Sequence, residues 1–197
     1  MKKNLVITIE REFGSGGHLI GEKLAEALNI PFYDEAIIER AAMKSGFDKD
    51  FIEEQEQKIN NSLLFNIATS GYYTGGTLHD QIFIAERDAI TEIAQAGSCV
   101  IVGRCADYIL RDKCECMNVF IHASKDVRVK RVVEEYGVKS NNVSAVIDKT
   151  DKQRARHYQY YSDQVWGAAE NYHLTLNTSR FTIEQAAAIL KNAAEMF

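Results

Sequence analysis

The sequence predicts an α/β fold in which a mostly parallel β-sheet is flanked by helices. Short apolar runs alternate with longer segments of helical periodicity, which is the pattern of successive βαβ units. The chain has 197 residues, of which 46% are hydrophobic and 26% are charged. This length and balance are typical of a soluble protein with a core of its own, so we expect a single domain over residues 1–197.

The first elements are a strand, a glycine-rich turn and a helix. Residues 5–9 (LVITI) form a β-branched, mostly apolar run that is typical of a buried parallel strand. Residues 14–17 (GSGG) form the turn, and apolar residues then recur at helical spacing over 19–28. Residues 31–34 (PFYD) predict a short strand, and residues 36–43 predict a second helix.

The next part of the chain predicts an insertion. Residues 44–60 are charged and helical in type, and residues 69–77 form a loop by their glycine and hydroxyl content. A long helix should cover about 79–96. Because residues 44–80 are too many for a simple crossover, we expect them to form a helical cap over a ligand site.

The second half of the chain continues the alternation. Buried strands are predicted over residues 99–102, 117–121 and 172–176, with helices over 126–136, 144 to about 161, and 182–196. Since the strands alternate with helices, they should run mostly parallel. Ligands bind beyond the carboxyl ends of the strands in such sheets, so residues that follow strands are the candidates for function.

The charge distribution favours a small anionic ligand. The formal net charge of −5 argues against nucleic acid as a partner. Residues 125–156 nevertheless hold nine Lys or Arg against five Asp or Glu, a local charge of +4. This basic stretch suits a ligand such as a phosphate, although a solvated helical face would give the same pattern.

Targeting and cysteine patterns predict a cytoplasmic protein. No apolar run approaches the ~20 residues that a membrane helix needs, and the apolar run near the N-terminus is too short for a secretory signal. We therefore expect no membrane association. The spacing of Cys99, Cys105, Cys114 and Cys116 does not complete a zinc site, so reduced thiols are expected.

The glycine turn is a candidate phosphate-binding loop. Gly14, Ser15, Gly16 and Gly17 directly follow the first strand, so backbone N–H groups and the positive end of the next helix would face an anion there. A tight strand-to-helix turn without a ligand is the alternative. The standard pattern G-x-x-x-x-G-K-[ST] would add a lysine. Gly17 stands in the place of that lysine, followed by His18.

Polar residues near the ends of two other strands are candidates for binding an acceptor. Asp34 and Arg40 are six positions apart, and Arg104 follows the strand at 99–102. A carboxylate can accept from a base or ribose, and an arginine can hold a phosphate with two hydrogen bonds. The alternatives are a helix-capping Asp34 with a solvated Arg40, and an ordinary ion pair for Arg104.

The basic stretch supplies further candidates. Phosphoryl transfer requires several cations around the transferred group, and a helical lid carrying arginines can exclude water. We expect such a lid over about residues 125–160. Its candidate residues include Arg128, Arg131, Arg154 and Arg156, and ordinary surface charge should account for at least half of the cations.

These motifs together resemble the cytidylate kinase-like family, relatives of the P-loop nucleoside monophosphate kinases. The resemblance spans nearly the whole chain and is carried by residues 7–9, 14–17, 20–21, 31–34, 100–107, 120–124, 151–154 and 177–179. Asp34 and Arg40 match the ends of the family's Asp-Thr-Gly-Ala-x-Tyr-Arg segment, whose middle differs here. Cys105 replaces the aspartate of its Gly-Arg-Asp motif.

The resemblance implies a P-loop NTPase-type sheet with a lid and a monophosphate-binding insertion. It also implies ATP- and Mg²⁺-dependent phosphorylation of a nucleoside monophosphate, with CMP or dCMP as the leading acceptor. Residues 14–18 would wrap the ATP phosphates, with Ser15 contacting Mg²⁺ and His18 substituting for the lysine. Asp34, Arg40 and Arg104 would hold the acceptor, and Arg131 and Arg154 would clamp the transferred group.

Three alternatives remain at the level of sequence. The protein could phosphorylate another nucleotide or a small metabolite. It could bind a nucleotide without turnover, because the P-loop lysine is missing. It could also be an interaction protein with a vestigial pocket. The sequence does not indicate an oligomeric state.

Overall fold

Residues 4–38 and 78–197 are described by a computed structural model, and they form a five-stranded sheet. The strands are β1 (Val6–Arg11), β2 (Phe32–Tyr33), β3 (Cys99–Val102), β4 (Cys116–His122) and β5 (Leu174–Asn177). Their order is β2-β3-β1-β4-β5, and every pair is parallel. The predicted parallel sheet is confirmed, although β5 begins two residues later than predicted because residues 169–171 form a 3₁₀ turn before it.

Helices lie on both faces of this sheet. They are α1 (Gly17–Leu28), α2 (Leu78–Ala96), α3 (Ala106–Leu110), α4 (Lys125–Glu134), α5 (Val143–Ser162) and α6 (Ile183–Met196). The helix predicted over 36–43 is present at residues 35–38, and its remainder lies outside the described residues. Of the predicted cap over 44–80, residues 78–80 belong to α2, and the rest lies outside the described part of the chain.

Two apolar clusters hold α1, α2, α3 and α6 against the sheet. One packs β-strand residues such as Ile9 and Val119 against α1 and α6, with Leu24 and Leu190 fully buried. The other packs the opposite face of the sheet against α2 and α3. Because neighbouring strand residues point to opposite faces, β1 contributes to both clusters and is buried throughout. No helix in the described residues combines the length and apolar character needed to cross a membrane.

The strand register places the loops of interest at one edge of the sheet. Ile9 in β1 pairs with Val102 at the end of β3, and Arg11 pairs with Ile121 in β4. The segments that follow β1, β3 and β4 therefore meet at the carboxyl edge. This edge is where ligands bind in open parallel sheets.

Candidate functional site

The loop from β1 to α1 is closed by glycines and by contacts with α4. Gly14 and Gly16 have φ angles of +81° and +88°, in the left-handed region that favours glycine. A Cβ on Gly14 would lie 2.8 Å from Val132 Cγ2 and 2.9 Å from the carbonyl oxygen of Arg128. Glycine at position 14 thus permits both the turn and the close approach of α4.

The loop leads into a helix N-terminus that has no side-chain cap. Gly16 is the N-cap of α1, and the first turn contains no acidic residue. The first N–H groups of a helix lack partners within the helix and carry partial positive charge, so they suit an anion. Arg131 adds a full charge nearby, because its Nη1 donates to the carbonyl oxygen of Gly14 at 2.9 Å.

The arginines of α4 and α5 converge on this loop. Arg128 Nη1 donates to Asp151 Oδ2 at 2.5 Å, and Asp151 Oδ1 accepts from the backbone N–H of Phe13 at 2.7 Å. Arg154 Nη1 donates to the carbonyl oxygen of Arg11 at 3.0 Å. The structure therefore brings these predicted lid residues to the glycine loop, which a solvated helical face would not do.

Surface charge does account for part of the basic stretch. Arg128 and Arg131 are buried, with 7% and 8% of their surface exposed. Arg156, two residues after Arg154 on α5, is exposed. The predicted arginines thus separate into a buried group at the loop and a solvent-facing group.

The chain following β3 adopts an unusual backbone. Arg104 and Cys105 have φ angles of +58° and +55°, and each non-glycine residue in this region costs roughly 1–2 kcal/mol. The conformation places Arg104 at the carboxyl edge, where its Nη2 lies 2.7 Å from Glu35 Oε1. The ion pair proposed as the alternative for Arg104 is therefore present, with Glu35 as its partner.

Glu35 is the carboxylate on which several arginines converge. Its Oε2 accepts from Arg11 Nη2 at 3.2 Å, while Oε1 contacts Arg104. Burial alone would raise the pKa of Glu35, but the charges of Arg104, Arg11 and Arg154 outweigh burial and lower it to about 2. Sequence reasoning missed both Arg11 and Glu35. For Arg11, the available signal was the polar run Glu10–Glu12, which directly follows the apolar run of residues 5–9.

Glu35 should make stability depend on pH in the acid range. A lowered pKa means that the ionised group stabilises the fold above about pH 4.5 and that this contribution disappears as the pH falls toward 2. We expect Glu35→Gln to be less stable than the wild type at pH 7, with the difference narrowing as the pH falls from 4.5. Urea denaturation between pH 3 and 7 measures it, and a difference that is constant with pH would contradict this role.

A second buried carboxyl group lies beside Arg104. Glu86 on α2 is 1% exposed, and its Oε1 is 3.3 Å from Arg104 Nη1. Burial raises its pKa to about 8, and the negative charge of Glu35 adds to the increase. The sequence pattern identified the apolar face of α2 but did not identify Glu86 as buried. A charged residue within a helix is ordinarily expected to face solvent.

His18 and Asp34 lie together on the other side of the loop. His18 Nε2 is 3.2 Å from Asp34 Oδ2, and the His18 ring meets Phe32 edge-on. Asp34 Oδ1 also accepts from the backbone N–H of Ile37 at 2.9 Å. Asp34 therefore caps the helical turn at residues 35–38, which was the alternative interpretation of this residue. The structure brings Asp34 and His18 together, and Arg40 lies outside the described residues.

Ser15 is engaged within the loop. Its Oγ donates to the carbonyl oxygen of Glu12 at 2.8 Å, and its own carbonyl oxygen accepts from Thr178 Oγ1 at 2.7 Å. The hydrogen bond to Glu12 leaves the oxygen lone pairs of Ser15 unused, but the side chain is fully buried, so contact with Mg²⁺ would require the loop to open around it. The role of Ser15 in metal binding stays a prediction. Mg²⁺ commonly reaches such sites on nucleotide phosphates with few protein ligands, which is compatible with this loop.

Comparisons with known proteins agree with this architecture. The cytidylate kinase of Pyrococcus horikoshii is 26% identical over 195 residues, covering 98% of this chain and 90% of that protein. An uncharacterized protein from Eubacterium ventriosum has a crystal structure with a TM-score of 0.75 and 29% identity, covering 98% of this chain and 99% of that one.

Shikimate kinase from Bacteroides thetaiotaomicron shares the fold, with a TM-score of 0.56 at 18% identity over 98% of this chain and 99% of that one. The predicted P-loop type of fold is thereby confirmed. The model of the cytidylate kinase-like family matches residues 6–180, from the start of β1 to the end of the turn after β5. This chain therefore belongs to the cytidylate kinase-like family.

Proposed function

We propose that this protein transfers the γ-phosphoryl group of ATP to a nucleoside monophosphate, with CMP or dCMP as the acceptor. The observation that carries the proposal is the convergence of Arg131 and Arg154 on an uncapped glycine loop, with Arg104 at the same carboxyl edge of the sheet. Membership in the family supports kinase chemistry. The 26% identical cytidylate kinase supports a cytidine nucleotide as the acceptor.

The loop would hold ATP by its phosphates. The backbone N–H groups of residues 15–18 and the N-terminus of α1 would bind the phosphate oxygens. Mg²⁺ would supply additional positive charge to the transferred group, and Ser15 is the residue proposed to contact it. Arg131 would contribute a guanidinium from the side of Gly14, where it is already held.

The reaction needs no side-chain nucleophile. A phosphate oxygen of the acceptor attacks the γ-phosphorus while the bond from that phosphorus to the β–γ bridging oxygen breaks. The bridging oxygen leaves with ADP. Negative charge spreads over the transferred group, so Arg131 and Arg154 would act by electrostatic stabilisation and positioning.

The acceptor would bind across β2 and β3. Arg104 would hold its phosphate, and Asp34 would accept a hydrogen bond from its base or ribose. Arg40, which lies outside the described residues, would also bind the acceptor phosphate. Since the Arg104 guanidinium already forms an ion pair with Glu35, the acceptor phosphate would compete with Glu35 for it.

The proposal is tested by binding and product formation. Calorimetry measures ATP binding, and a coupled assay measures transfer to CMP, dCMP, UMP and AMP, with non-nucleotide hydroxyl acceptors as a second panel. Transfer to CMP or dCMP above all others supports the proposal. Transfer only to a non-nucleotide acceptor identifies a metabolite kinase. Tight ATP binding without any transfer supports the sensor alternative, which Gly17 in place of the lysine favours.

Arg104→Gln should separate acceptor from ATP binding. Losing a charge-assisted hydrogen bond typically costs ~1.5–3 kcal/mol, about ten- to a hundredfold in affinity. We expect the KM for CMP to rise by that factor while the Kd for ATP stays nearly unchanged. Arg111→Gln, at an exposed arginine after α3, is the control for loss of one charge. Equal losses for ATP and CMP would move Arg104 out of the acceptor site.

A further inference from the structure

The space beside Gly17 is filled by another residue's side chain. Gly17 is the first residue of α1, the place where the standard pattern has its lysine. A Cβ on Gly17 would lie 2.5 Å from Arg11 Cβ and 2.9 Å from Arg11 Cγ. Both atoms belong to the inner part of the Arg11 side chain, which cannot move away easily. A lysine at position 17 would therefore have to begin where Arg11 already passes.

The guanidinium of Arg11 continues to the carboxyl edge between β1 and β3. A Cβ on Gly103 would collide with Arg11 Nη1, so this glycine also makes room for Arg11. Arg11 is buried at 8% exposure, and its Nη2 lies 3.2 Å from Glu35 Oε2. Gly17 and Gly103 thus line the path along which Arg11 reaches the candidate site.

Three arginines lie close together beside Glu35. Arg11 and Arg104 both contact its carboxylate, and the charges of Arg11 and Glu35 both act on Arg154. Burial, followed by the charge of Arg11, lowers the pKa of Arg154 to about 10. A bound phosphate would relieve this repulsion, because it brings negative charge to the arginines.

We infer that Arg11 supplies the phosphate-binding cation that a lysine supplies in the standard P-loop, and that Gly17 is small because Arg11 uses its space. This inference rests on the proposed ATP-binding function. A guanidinium can hold two phosphate oxygens at once, whereas a lysine acts as a point charge. The inference replaces His18 as the substitute cation, since the His18 ring is directed to the carboxylate of Asp34.

The test is a double-mutant cycle that moves the positively charged side chain from position 11 to position 17. Arg11→Gly should weaken binding of MgATP by about ten- to a hundredfold, as expected for the loss of a charged hydrogen-bonding group. Gly17→Lys alone should lower the melting temperature, because Arg11 blocks the new side chain. The double variant should recover most of the ATP affinity and melting temperature. Arg111→Gly is the matched control and should bind ATP as the wild type does.

A second pair of variants tests the inference if Arg11→Gly does not fold. Arg11→Met keeps an aliphatic chain against Gly17 but removes the charge, and Arg11→Lys restores a charge. Calorimetry with MgATP should show at least a tenfold weaker affinity for Arg11→Met than for Arg11→Lys.

Different results would overturn the proposed function and the inference about Arg11. Wild-type protein that does not bind MgATP in calorimetry would overturn the proposed function, and the inference with it. Wild-type protein that binds MgATP while Arg11→Gly and Arg11→Met bind equally well would overturn the inference alone. Strictly additive effects of Arg11→Gly and Gly17→Lys on melting temperature and affinity would also overturn it, because the two side chains would then not compete for one space.

Discussion

Arg154→Ala should lower the rate of phosphoryl transfer by about 10³-fold or more, with a much smaller loss of ATP affinity. An arginine that contacts the transferred group contributes mainly in the transition state, and removal of such a residue typically costs 10³- to 10⁵-fold in kcat. Arg154 is held at the loop by its hydrogen bond to the carbonyl oxygen of Arg11. Its pKa of about 10 leaves it charged at neutral pH.

The control for Arg154 lies on the same helix. Arg156→Ala removes an exposed arginine two residues later and should leave kcat within about twofold of the wild type. Steady-state kinetics at saturating CMP, with ATP binding measured by calorimetry, separates the two effects. If Arg154→Ala retains a kcat close to that of the wild type, the transferred group is stabilised elsewhere, and Arg131 becomes the residue to test.

Asp151→Ala should destabilise the protein by about 3 kcal/mol, because it leaves the buried guanidinium of Arg128 without its main partner. The carboxylate also accepts from the backbone N–H of Phe13, so the same substitution releases the glycine loop from α5. For a domain of this length, such a loss lowers the melting temperature by roughly 6–12 °C. Differential scanning calorimetry measures the change.

Asp148 provides the comparison for Asp151. It lies three residues earlier on α5, with 69% of its side chain exposed, and it pairs with Lys125. Exposed ion pairs contribute ~0–1 kcal/mol, so Asp148→Ala should lower the melting temperature only slightly. Equal effects of the two substitutions would show that the Asp151 contacts do not hold the loop against α5.

The main elements were predictable because their signals are local. The apolar runs at β1, β3 and β4 and the periodicities of α1 and α6 identify buried faces without knowledge of distant residues. By contrast, α3 has only five residues, too few to show a helical period. The start of β5 depends on a preceding 3₁₀ turn, which the sequence pattern does not indicate.

The candidate site was predictable to the extent that topology determines it. Arg104 follows a central strand, and the parallel pairing of β1 with β3 brings it to the carboxyl edge beside the end of β1. The contacts of Arg11 with Glu35, 24 positions away, depend on how side chains pass between glycines that are distant in sequence. No spacing rule within one element describes such a contact.

The backbone after β3 has an evolutionary consequence. Arg104 adopts a conformation in which glycine would be the more stable residue, at a cost of roughly 1–2 kcal/mol for any side chain. Replacement by glycine would remove this cost, but it would also remove the guanidinium that contacts Glu35 and Glu86. Natural selection at position 104 therefore acts on the backbone cost and the ion pairs together, and a change there would be tolerated only with matching changes at Glu35 or Glu86.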